Sequence, residues 1–364
     1  MARFVALDRL RALAVLSMIQ GHTFSALLAP GALPPWLMEL HALVHGLTAP
    51  AFLFGAGLAF GVSTYPRYDL HRCDGPALRA RLVRVLVLLV LGYALQLPGA
   101  SLFAALRLHD AALAPVLRVG PLHLIAFCLL VCQLGACFFR TPLRHAAFAL
   151  VAATVVTALS PWVWAHELAL ALGPWVGPWV DGGRGSLFPI FPWASFVFFG
   201  VACAGMPRLN APSPQGARAW LALGGVLTLA SYGAFLAGVR LAEPRWFWQA
   251  SPLHVLFRVG LVTLLLGALH LGAHVARAVL IARHSLVAYV VHLLLLYGTP
   301  LTPNLERRYG LALDAGRCSL VFGGVLGITL LTVYGWAWLG RERATQRAVL
   351  QAALTLLGLL VLSR

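Results

Sequence analysis

Long apolar stretches alternate along this chain with short polar connections, and the length of each stretch decides what it can form. A helix rises ~1.5 Å per residue, so crossing a ~30 Å hydrocarbon layer takes about 20 mostly apolar residues. Eleven stretches qualify: 10–29, 46–64, 80–97, 118–138, 143–164, 187–206, 219–238, 253–272, 284–300, 318–340 and 347–363. The last is short and the fifth merges into a Trp- and Pro-rich loop, so ten is the alternative count. Residues 1–30 contain Gln20 and His22 and lack a small-x-small cleavage pattern, so the first stretch reads as a retained helix and not as a signal peptide. The expectation is an all-α polytopic membrane bundle of 10–11 transmembrane helices. It forms one domain over 1–364, with no soluble domain or clear internal repeat.

Composition agrees. Of 364 residues, 60% are hydrophobic and only 10% charged, against about 25% charged in soluble domains; the mean hydropathy is +0.85. A formal net charge of +16 would suggest nucleic acid in a soluble protein, but every basic residue is Arg and they are spaced between apolar runs. Nucleic acid is therefore not an expected partner, and membrane lipid is. With the N-terminus cytoplasmic, thirteen Arg fall on inner connections and eight on outer ones, as the positive-inside bias requires. The expected location is a bacterial inner membrane. Four of six cysteines (Cys128, Cys132, Cys137, Cys203) sit in apolar runs and no CxxC occurs, so neither a disulfide framework nor a metal site is expected.

Ionisable residues inside spans are costly and usually face a bundle interior or a cavity. The first span reads Asp8-Arg9-Leu10-Arg11, then Gln20-Gly21-His22. At about 100° per residue, Asp8, Arg11, His22 and Ser25 share one stripe, with His22 about 16 Å along the axis from Arg11. Asp8 and Arg11 equally suit an interfacial anchor. His41 and His45 lie just ahead of the second span, whose start is interrupted by Pro50; with only Glu39 nearby they make a poor metal pair. His123 opens the fourth span from outside, Trp193 the sixth, and His254 with Arg258 the eighth, while His292 lies mid-span in the ninth. His, Arg and Trp side chains thus approach one depth in the outer half of the membrane.

At these residues the sequence resembles the catalytic domain of the heparan-alpha-glucosaminide N-acetyltransferase family, within the wider transmembrane acyltransferase superfamily. The pieces that carry the likeness are Leu7-Asp8-Arg9-Leu10-Arg11-Ala12-Leu13, residues 47–57 (Leu47-Thr48-Ala49-Pro50 through Gly55-Ala56-Gly57), Gly120-Pro121-Leu122-His123-Leu124-Ile125, Phe188-Pro189-Ile190-Phe191-Pro192-Trp193, and Ser285 through Tyr289 to His292, in the family's order. Arg11 and His22 also fit the Arg-x10-His pattern of the related acyltransferase-3 family. Ala12 stands where the family has Gly, and the connection 30–45 is shorter than the family's.

The resemblance implies transfer of an acyl group, as acetyl, from cytosolic acetyl-CoA to a sugar, envelope glycan or glycolipid acceptor on the opposite face. Such transfer needs a base and an oxyanion donor. His22, His45 and His41 are the catalytic candidates, with the choice between His41 and His45 open. Asp8, Arg11, His123, Trp193, Arg258 and His292 are the substrate-binding candidates. Arg67, Arg72, Arg79, Arg81 and Arg84 either neutralise CoA phosphates or only set topology. No metal is implied, and homo-oligomerisation is left open. The rival reading is a multi-pass transporter or lipid-carrier flippase, which would favour broken helices and repeats; neither is visible in the sequence.

Overall fold

The computed structural model describes residues 4–72, 75–96, 110–210, 213–272, 276–298 and 304–340. Among these there is no strand, only an isolated bridge between Leu28 and Leu313. The principal helices are α1 (Val5–Leu27), α2 (Pro35–Thr64), α3 (Pro76–Ala94), α4 (Pro121–Phe138), α5 (Pro142–Ala165), α6 (Ile190–Ala204), α7 (Pro214–Leu236), α8 (Pro252–His270), α9 (Ala276–Arg283), α10 (Ser285–Leu296) and α11 (Ala315–Leu339). Several start alike, with Pro in the first turn, where its missing N–H would have had no partner. Thr141 and Ser213 cap α5 and α7 by accepting from the backbone N–H of Arg144 and Gly216.

Ten of the eleven expected stretches carry a helix in their described residues, and 347–363 lies outside the described residues. Among the described residues, six segments are long and apolar enough to cross a membrane, and a seventh arises if the bent pair Arg277–Arg283 and Ser285–Leu296 is one span. The shortfall has local causes. α1 carries Asp8, Arg9, Arg11, Gln20 and His22, α3 carries three arginines, and α6 has only 15 residues. Large apolar side chains such as Val83, Leu86, Val151, Val226, Leu229, Leu320 and Leu331 are exposed on the helices, which suits lipid and not water.

Two sequence expectations are corrected. The second helix begins at Pro35 and not near residue 46, so His41 and His45 sit on helical turns and not in a connection. Residues 36–45 are good helix formers whose polar members lower the local hydropathy. Thirty residues span about 45 Å, well beyond the hydrocarbon layer. A broken helix also exists: α9 and α10 meet at a 75° bend around His284.

The chain packs as two compact units. The first comprises the start of α1 to Leu10, α2 from Pro50, and α3 to α8. Its helices approach closely at glycines: a Cβ on Gly57 of α2 would collide with the Val197 carbonyl of α6, and one on Gly200 with the Phe54 carbonyl. Arg9, buried at the start of α1, donates to the carbonyls of Leu269 and Gly272 at the end of α8, the helix terminus that favours a cation.

The second unit comprises α1 from Arg11, α2 up to Ala49, and α9 to α11. The end of α1 is tied to the segment before α11 by Ala29 N–H to Leu313 O (2.8 Å) and Leu313 N–H to Leu27 O (3.0 Å). Asp314 caps α11 by accepting from Arg317 N–H. Arg11 donates to the Ser285 hydroxyl at the start of α10 (3.0 Å), and the Ser17 and Thr48 hydroxyls join α1 to α2 (2.6 Å).

Candidate active site

Within the second unit, four histidines from three helices converge. His22 of α1 places Nδ1 2.9 Å from Nε2 of His292 on α10, and the two rings stack at 5.2 Å. The His45 ring of α2 meets His22 edge-on at 6.1 Å, and His41, one turn earlier, lies parallel to His45 at 5.8 Å. Gln20 of α1 lies 3.2 Å from His41 Nδ1, and the Tyr297 ring approaches His22 edge-on at 6.2 Å. His292 is fully buried, while His22, His41 and His45 are half-buried.

The spacing of α1 explains how one helix faces another twice. Arg11 and His22 lie eleven residues apart and meet Ser285 and His292, which lie seven apart on α10. The difference in rise, about 6 Å, is spanned by the long Arg11 side chain. Gly21 permits the approach of α2: a Cβ there would fall within the His45 ring. His45 Nδ1 is buried without a hydrogen-bond partner among the described residues. Ser25, expected on the same stripe, is exposed.

The other substrate-binding candidates belong to the first unit. Asp8 is buried in α1. His123 is buried at the start of α4, where its Nδ1 accepts from Gly120 N–H (3.1 Å) and its ring packs on Tyr93 (4.2 Å) and Trp179 (6.3 Å). Its Nε2 is buried with no hydrogen-bond partner among the described residues. Trp193 lies between Phe188 and Phe196, and the Arg258 guanidinium stands 6.0 Å from its ring centre. Trp193 and Arg258 are therefore brought together, while His123 has its own aromatic neighbours.

The arginines proposed for CoA divide. Arg67, Arg79 and Arg84 are exposed, and Arg72 lies 3.7 Å from Asp69. Arg81 turns inward. Its fork donates to Gln133 Oε1 (3.0 Å), Thr64 Oγ1 (2.7 Å) and Ser63 Oγ (3.3 Å), and the guanidinium covers the Phe60 ring at 4.5 Å. Gln133 in turn donates to the His71 carbonyl (2.7 Å).

Sequence reasoning missed Gly21, Gln20 as the partner of His41, and Tyr297. A small residue flanked by two polar ones inside an apolar helix was the available signal for the first two. Tyr297 had none, because its relevance depends on where the end of α10 lies.

A polytopic helical membrane protein with a histidine cluster brought together from three of its helices is the class that this fold and site define. A sequence model of the family described as "Heparan-alpha-glucosaminide N-acetyltransferase, catalytic" matches residues 3–235. The chain belongs to that family, a family of membrane acetyltransferases. No curated protein matches it.

Proposed function

We propose that this protein moves an acetyl group from cytosolic acetyl-CoA to a hydroxyl or amine of an envelope sugar, glycan or glycolipid presented on the opposite face of a bacterial inner membrane. The observation that carries the reading is the cluster of His22, His41, His45 and His292, contributed by α1, α2 and α10. Acyl transfer requires a base within hydrogen-bond reach of the nucleophile and a donor for the developing oxyanion. A neutral imidazole carries one bare nitrogen and one N–H, so a cluster of four can supply both kinds of group. His22 and His45 are the candidate bases, and His41 the candidate acceptor contact.

The exposed Arg67, Arg79 and Arg84, with Arg72, are proposed to neutralise donor phosphates, and Arg81 to hold their segment in place. Asp8, Arg11, His123, Trp193 and Arg258 are proposed to bind substrate. Trp193 with Arg258 offers an aromatic face beside a cation, a pairing suited to a sugar ring carrying polar or anionic groups.

The bend between α9 and α10 favours a second reading, transport, because broken spans are common in transporters. One experiment separates the two. Purified protein in nanodiscs is offered acetyl-CoA and a panel of sugars and envelope glycolipids, with mass-spectrometric detection of acetylated acceptor. Acetylated product at the same rate as free CoA supports the enzyme. Acceptor movement across proteoliposomes with no acetylation supports transport.

A further inference from the structure

His292 makes two hydrogen bonds, and together they fix where its ring proton lies. Its Nδ1 lies 2.8 Å from the carbonyl oxygen of Ala288, one turn earlier in α10. A carbonyl can only accept, so Nδ1 carries the proton. In the neutral imidazole the lone pair then belongs to Nε2, and Nε2 stands 2.9 Å from Nδ1 of His22. That contact is a hydrogen bond only when His22 Nδ1 donates. The proton of His22 is thereby fixed at Nδ1 and its lone pair at Nε2.

His41 has the opposite polarity. The Gln20 amide nitrogen donates to its Nδ1 at 3.2 Å, which leaves its N–H at Nε2.

We infer that His292 is a positioning residue, relaying the Ala288 carbonyl to His22 so that His22 presents Nε2 as the base. The logic is that of any base oriented by a third group. Here a second imidazole, itself oriented by a backbone carbonyl, does what a carboxylate does in the serine triad. The inference rests on the acetyltransferase reading of the cluster. It goes beyond the family match, because His292 lies past residue 235.

In the transfer step, His22 Nε2 takes the proton of the acceptor hydroxyl or amine as the acceptor oxygen or nitrogen bonds to the acetyl carbonyl carbon. The carbon–sulfur bond of the thioester breaks, and the imidazolium returns the proton to the CoA thiolate. The products are acetylated acceptor and free CoA. Throughout, His292 Nε2 accepts from His22 Nδ1–H and steadies the positive ring. The N–H that His41 presents at Nε2 suits it as a donor to substrate and not as a base.

The test compares His292→Phe, which fills the same space but cannot accept a hydrogen bond, with His292→Gln, whose amide oxygen can. In the full-length protein, His292→Phe should lower kcat by about 10²-fold or more, as loss of the orienting group does elsewhere, with KM for acetyl-CoA and acceptor unchanged. His292→Gln should recover activity to within about tenfold of the unaltered protein, since it restores the acceptor to His22. A raised acceptor KM with unchanged kcat in both variants would overturn the inference and return His292 to substrate binding.

A second measurement does not depend on turnover or on a variant at 292. In ¹⁵N-histidine-labelled protein, the His22 signals, assigned by their loss in His22→Ala, should show Nδ1 protonated and Nε2 bare. The reverse tautomer would overturn the relay. Absence of turnover in the unaltered protein would overturn the acetyltransferase reading instead, and the tautomer would still decide the relay.

Discussion

Placing a methyl group at Gly21 tests how tightly the histidine cluster is held. A Cβ built there stands 2.7 Å from Cγ of His45 and nearer still to Nδ1 and Cε1. Carbon contacts settle at about 3.5–4.0 Å, so the His45 ring must retreat by about 1 Å or more. Misplacing a reacting group by that much costs roughly 10²-fold in rate, or about 2.7 kcal/mol of transition-state stabilisation. The fold itself should not suffer in proportion, because Ala is favoured over Gly in a helix interior by about 1 kcal/mol. Gly21→Ala is therefore expected to express and melt near normally while losing about 10²-fold in kcat/KM for acetyl transfer, read by thiol release from acetyl-CoA. The double variant Gly21→Ala/His45→Ala should be no slower than His45→Ala alone, since both act through one ring. Full activity of Gly21→Ala, or additive losses in the double variant, would refute the reasoning.

His45→Ala should lose most activity, because its ring is pinned against α1 at Gly21, and His41→Ala should be milder, acting on acceptor KM; the reverse ranking in steady-state kinetics would make His41 the essential ring. Replacing Arg67 and Arg79 by Gln should raise KM for acetyl-CoA with little change in kcat, and high salt should mimic it; an unchanged KM would leave these arginines to set topology alone. Arg81→Ala should instead lower stability, by about 1–3 kcal/mol for each buried acceptor that it strands at Gln133 and Thr64, visible as a lower melting temperature. In intact cells an impermeant thiol reagent should label a Cys introduced in 165–186 but not one in 65–79, with the native cysteines as control; the opposite pattern would invert the orientation.

Helix content was legible because long apolar runs leave little else to form, and the Arg11–His22 part of the polar stripe of α1 was legible because its period is that of the helix, whereas Ser25 of that stripe is exposed. Arg11 and His22 were placed on one face from spacing alone, and both do face α10. That the partner would be Ser285 and His292, some 270 positions later, has no local signature, since it depends on which helices pack together. The start of α2 was misplaced because hydropathy reports where lipid begins and not where helix begins; Trp36 to His45 are helical outside the apolar run. Arg81 reads like its neighbours in sequence. Only its position on α3, three residues from Arg84 yet half-buried where Arg84 is exposed, turns its fork onto Gln133 and Thr64.

The central claim is that His22 is the base of an acetyl transfer, and its most direct measurement is acceptor-dependent CoA release by purified His22→Ala beside the unaltered protein. Loss of a general base costs about 10²–10⁴-fold, so the expected result is a fall of that size in kcat, with the variant still monodisperse and melting normally. Release at a near-normal rate by His22→Ala would contradict the account and leave His22 a structural bridge between α1 and α10.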